Sequence, residues 1–112
     1  MGPEGFRKLA RSLPEVEERE HMDHPDFRVG GKIFATLGYP DEHWAMVKLK
    51  PQQQKALTAA HPEVFIPVKG AWGRQGCTNV RLRAATKPLA DSVLRLAWQN
   101  IAPKNLLSGR KT

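Results

Sequence analysis

The sequence predicts an α+β domain of two layers, an antiparallel five-stranded sheet with helices packed on one face. Three observations predict it. Apolar residues recur at helical spacing near both ends of the chain and in one central stretch only. Between them lie short β-prone runs separated by turn residues rather than by long crossovers, the pattern of antiparallel pairing. The 112 residues suffice for one core but not two, so a single domain spans 1–112, with a disorder-prone tail from about 108.

Phe6, Leu9, Ala10 and Leu13 share a helical face and Pro14 stops the pattern, so a first helix runs from about Pro3 to Leu13. The acidic EVEERE that follows reads as a strand leading into His24-Pro25. In DFRVGGKIFATLG, two β-prone runs flank Gly30-Gly31, and a two-residue glycine connection predicts a hairpin because such turns need positive φ. Ile33, Ala35 and Leu37 fall on one face of its second strand, Phe34 and Thr36 on the other. Gly38-Tyr39-Pro40-Asp41 is a turn, and HWAMVKLK a third strand. Pro51 opens a helix that turns Ala56, Leu57 and Ala60 toward a core and ends at His61-Pro62. Val64-Phe65-Ile66 is a short strand and Cys77 to Leu82 another. Thr86 is the expected N-cap of a long amphipathic helix carrying Leu89, Val93, Leu94, Leu96, Ala97, Trp98 and Ile101. The order is α-β-β-β-α-β-β-α.

No apolar run approaches the roughly 18 residues that cross a bilayer, and neither a secretory signal nor a myristoylation signal opens the chain. Cys77 is the only cysteine, which excludes an internal disulfide and fits a reducing, cytoplasmic, bacterial-type setting. Charge is distributed unevenly. Residues 1–68 hold 9 Lys+Arg against 10 Asp+Glu, whereas 69–112 hold 9 Lys+Arg against Asp91 alone, so the net +7 is −1 plus +8. Such a basic C-terminal part suggests a polyanion partner; the plainer alternative is a solvated basic face.

KGAWGRQGCTNVRL, residues 69–82, places Gly70, Gly73 and Gly76 around Trp72 and Arg74. Backbone amides near glycine, with Lys69 and Arg74, suit a phosphate, and Trp72 suits stacking on a base. The spacing matches neither a Walker loop nor a dinucleotide fingerprint, and a strand follows where those motifs need a helix. The composition therefore favours a structural bend with a bulge, Trp72 capping the core, and a ligand role layered on it. His21, Asp23, His24 and Asp26 resemble metal ligands, but strand alternation separates His21 from His24, so a half-exposed polar strand end is expected. Cys77, with Arg74 and Arg81 near it in sequence, reads as a small packed side chain rather than a nucleophile. No cofactor is implied and no catalytic constellation stands out, so the expectation is a non-enzymatic protein. Arg81 and Arg83, two apart on one strand face, leave Val80 and Leu82 to the core. Lys87, Arg95, Lys104, Arg110 and Lys111 extend the basic surface.

HPDFRVGGKIFATLG, VKLKPQQQKAL, PVKGAWGRQGCTNVRL and the AW of the closing helix together resemble the MmcQ/YjbR family of small bacterial proteins, from about Leu9 to Leu107. The resemblance implies a two-layer, five-stranded, double-wing fold shaped like secretion chaperones, and a DNA-binding role. It rests on Phe27, Arg28, Gly31, Lys32 and Phe34, and on Gly70, Trp72, Gly73, Arg74, Gly76 and Thr78. Cys77 departs from it, since the family often has an aromatic there. The expected function is phosphate-backbone binding of DNA through Arg28, Lys32, Lys69, Trp72, Arg74, Arg81 and Arg83. The alternative is a small-ligand or protein-binding domain that uses a groove between sheet and helices, with Trp44 and Trp72 lining an apolar site.

Overall fold

The computed structural model describes residues 1–109, so Arg110 and Lys111 of the expected basic surface lie outside the described residues. Helix α1 (Pro3–Arg11) is followed by β1 (Glu17–His21), β2 (His24–Val29), β3 (Lys32–Leu37) and β4 (Trp44–Lys48). Then come α2 (Pro51–Ala60), β5 (Phe65–Pro67), the single turn α3 (Ala71–Arg74), β6 (Cys77–Arg81), α4 (Lys87–Ile101) and α5 (Lys104–Gly109).

The sheet has six strands, not five, in the order β1-β2-β3-β4-β6-β5, every neighbour antiparallel. The extra strand arises at Met22 and Asp23. Both are left-handed, with φ of 51 and 65, and they reverse the chain so that His21 pairs with His24. Neither residue is the glycine or asparagine that normally announces such a turn, so one expected strand is two. The Gly30-Gly31 turn forms as expected, with φ of 61 and 80.

Alternation in β3 also differs from expectation. A register shift opposite Phe27/Arg28 interrupts the pairing, and Phe34 joins Ala35 and Leu37 in the core rather than facing away. A bulge of this kind lets two successive side chains favour one face.

Helices α1 and α4 pack together against β3 and β4. Phe6 and Ala10 of α1 and Ala90, Val93, Leu94, Ala97 and Trp98 of α4 are buried there with Phe27, Val47 and Val80. Trp98 satisfies its indole by donating Nε1–H to the Pro14 carbonyl at 2.9 Å. Thr86 caps α4, its hydroxyl accepting from the Leu89 amide at 3.4 Å. Helix α1 stops at Arg11, two residues short of expectation, yet Leu13 remains in the core. In α2, Leu57 packs partly on the core while Ala56 and Ala60 stay exposed. This interface is filled with side chains.

Candidate functional site

One end of the sheet gathers the starts of β3 and β6 and the finishes of β4 and β5, because Ala35 pairs with Val47, Lys48 with Cys77 and Pro67 with Thr78. Here the glycine–tryptophan loop is built. It is not a bulged hairpin but the one-turn helix α3, wedged between strand ends. Two of its glycines, Gly73 and Gly76, are dictated by close backbone approach. A Cβ on Gly73 would run into the Val68 carbonyl, and one on Gly76, whose φ is 112, into the Leu49 carbonyl. Only glycine supplies both the space and that conformation.

Helix α2 clamps the loop from outside. The Gln54 side-chain amide donates to the Gly73 carbonyl at 2.9 Å and to the Cys77 carbonyl at 3.0 Å. Gln53 accepts from the Lys50 amide at 2.8 Å and from the Asn100 side chain at 2.8 Å. Asn100 also donates to the Lys48 carbonyl at 3.2 Å. The segment Lys48–Lys50 is thereby fixed beside α3.

Side chains at this end are less engaged. Trp72 is 62% exposed, so it does not cap the core as the sequence suggested. It borders a recess of about 240 Å³ shared with Lys48, Lys50, Gln75, Cys77 and Asn100. Among the described residues none of Lys48, Lys50, Lys69 and Arg74 is held by a carboxylate. The Gly30 Cα lies against the Pro103 ring, which brings Lys32 and Lys104 to the same end. Lys48, Lys50 and the clamping glutamines went unselected in the sequence. The signal available was PQQQ directly after VKLK, two lysines of one strand end feeding a helix start.

The other expected residues stand apart from this group. Arg28 bonds Asp26 through both carboxylate oxygens at 2.8 and 3.2 Å, and those hydrogen bonds hold its guanidinium protonated still more firmly. Arg81 lies at the far end of β6, its guanidinium 4.7 Å from the Trp44 ring centroid and donating to the Glu63 carbonyl at 3.2 Å. Arg83 is not on the strand: residues Leu82–Ala84 form a 3-10 turn, from which it donates to His43 Nε2 at 2.8 Å. Trp44 and Trp72 therefore stand at opposite ends and line no common site.

The Cys77 thiol is nearly covered, and burial pushes its pKa up while the Lys48 ammonium pulls part of the way back. Arg74 and Arg81, its neighbours in sequence, are not among the causes. Among the described residues no three of His, Cys, Asp and Glu converge as metal ligands, and no helix is long and apolar enough to cross a membrane.

The YjbR family model matches residues 11–100. The fold is similar to the crystal structure of DR2400, a Deinococcus radiodurans protein of the DUF419 domain type. The TM-score is 0.69 at 20% identity, over 83% of this chain and 72% of that one. No curated protein sequence matches it.

Proposed function

This chain belongs to the YjbR family, and from the open end of its sheet we propose that it is a non-enzymatic DNA-binding protein. Lys48, Lys50, Lys69 and Arg74 contact phosphates, Trp72 stacks on an accessible base, and Lys32 at the hairpin tip adds a flanking contact. The observation that carries this reading is the exposure of Trp72 on a backbone-locked turn near cations that, among the described residues, no carboxylate neutralises. An indole left in water is a poor use of apolar surface unless something covers it, and a nucleobase has both the flat face and the attached charge to do so. The partition of the arginines supports it further. Arg28, Arg81 and Arg83 are occupied within the protein, so the reading drops them as primary contacts.

Fluorescence anisotropy with labelled duplex DNA, single-stranded DNA and RNA across a salt series tests it. Four phosphate contacts give a slope of log K against log salt of about −4 on duplex. Lys69→Glu with Arg74→Glu should weaken DNA binding about a hundredfold, roughly tenfold per reversed contact. Arg81→Glu should change it less than threefold. Equal losses at the two ends would mean that binding tracks net charge alone and would end the site assignment.

A further inference from the structure

The sheet face turned away from α1 and α4 holds a second opening, unconnected with Trp72. Asp26, Thr36, Met46, Asn79 and Ile66 pair across β2, β3, β4, β6 and β5 in a single row. Over the middle of that row runs a groove of about 720 Å³, and none of its lining residues comes from a helix. Thr36, Met46 and Asn79 form its floor. Met22 and Tyr39, from the turns after β1 and β3, wall one corner with His24 at the start of β2, and Val68 with Lys69 walls the other.

Three features indicate an occupant. Met22 and Tyr39, exposed by 85% and 66%, are two of the three large hydrophobic side chains left in solvent among the described residues, and both line this groove. Exposed apolar groups concentrated on one concavity mark a binding surface more often than a solvated one. The volume lies within the range of small-molecule sites, which are apolar with a few polar groups that set orientation. Those polar groups are unspent: among the described residues neither the Thr36 hydroxyl nor the Asn79 amide makes a side-chain hydrogen bond, and Lys69 has no carboxylate.

We propose that this groove binds a small organic anion, an aromatic or aliphatic body bearing one acidic group. The body lies on Met46 between Tyr39, Met22 and Val68, and the acid meets Lys69. Asn79 and Thr36 supply hydrogen bonds from the floor. A cation of the same shape lacks the Lys69 contact and is repelled by it. The proposal is independent of the DNA reading except that both use Lys69.

Anilinonaphthalene sulfonate, an aromatic body with one sulfonate, is the probe. We expect saturable fluorescence enhancement at one site per folded chain, with a rise in melting temperature. Lys69→Glu should weaken the probe at least tenfold, and Thr36→Trp, which fills the floor, should abolish binding. Trp72→Ala and Arg74→Glu should leave it unchanged. A naphthylalkylamine should bind at least tenfold more weakly than the sulfonate. Probe binding that survives both Thr36→Trp and Lys69→Glu, or that is lost instead with Trp72→Ala, overturns the assignment. So does a sulfonate-blind groove that sedimentation shows covered by a second copy, or one that captures extended peptides while ignoring the anion. If Thr36→Trp fails to fold, Lys69→Glu and the cationic analogue still decide.

Discussion

The two ends of the sheet carry the same kinds of residue in opposite states. At one, Trp44 lies under the Arg81 guanidinium, Arg81 also bonds the Glu63 carbonyl, and Arg83 bonds His43. At the other, Trp72 stands in solvent beside Lys48 and Lys50, with Arg74 on the same turn and Lys69 just ahead of it in the chain. The difference teaches that a tryptophan with arginines is not a site by composition. What distinguishes a site is interaction capacity that the fold leaves unspent. The open end is nevertheless the more rigidly built in its backbone, since Gly73 and Gly76 sit against carbonyls of other segments and Gln54 bridges both sides of the turn.

The largest expected effect tests that rigidity. Gly76→Ala places a Cβ on the Leu49 carbonyl and demands a left-handed backbone, so it should cost about 3–4 kcal/mol of stability. Chemical denaturation should register it as a lowered midpoint. Gly31→Ala shares the positive φ, but its Cβ would meet open space, and it should cost only about 1–2 kcal/mol. Equal costs at the two positions would mean that the loop gives way readily and that the open end is not a fixed platform.

A smaller effect separates the tryptophans. Trp72→Ala should weaken single-stranded DNA by about 1–3 kcal/mol, the value of one lost stack, with the melting temperature nearly unchanged. Trp44→Ala should do the converse: a stability loss of about 1–2 kcal/mol from lost burial and the Arg81 contact, with DNA affinity within twofold of the parent. A Trp72 variant that melts early would return that residue to a structural role.

Much of the scaffold was legible in the sequence. Pro14, the Gly30-Gly31 pair, Pro51 and Thr86 act locally, through their own dihedral limits or hydrogen bonds a few residues away, so their consequences can be read in order along the chain. The missed features are non-local. Met22-Asp23 adopts a turn for which its residue types have little intrinsic preference, and the pairing of β1 with β2 holds it there. The bulge at Phe34 answers to the partner strand. In the glycine loop the deciding contacts come from Val68, Leu49 and Gln54, none of them inside the span from Gly70 to Gly76. Lys48 and Lys50 escaped notice because dividing the charge by sequence put them in the acidic part, whereas pairing of Lys48 with Cys77 puts them beside the basic loop.

Cys77 gives the smallest and most local test of the open end. Its thiol lines the Trp72 recess but is nearly buried, and burial raises its pKa above the ordinary value of 9.0 while Lys48 lowers it in part. In the unfolded chain the thiol ionises first as pH rises, so the unfolded state gains an ionised form that the folded state resists. The stability held in the neutral thiol is therefore complete below about pH 9 and declines as pH climbs through the folded pKa. Denaturation measured between pH 8 and 11 should show the parent losing more stability than Cys77→Ala, the difference isolating the contribution of the thiol. Lys48→Met removes the offsetting ammonium, so the parent's excess loss should grow. Had the sequence neighbours Arg74 and Arg81 governed the thiol, its pKa would lie below the ordinary value and Cys77→Ala would lose its advantage at high pH. That outcome would also place those arginines closer to the recess, and would erase the contrast between an open end and a satisfied one.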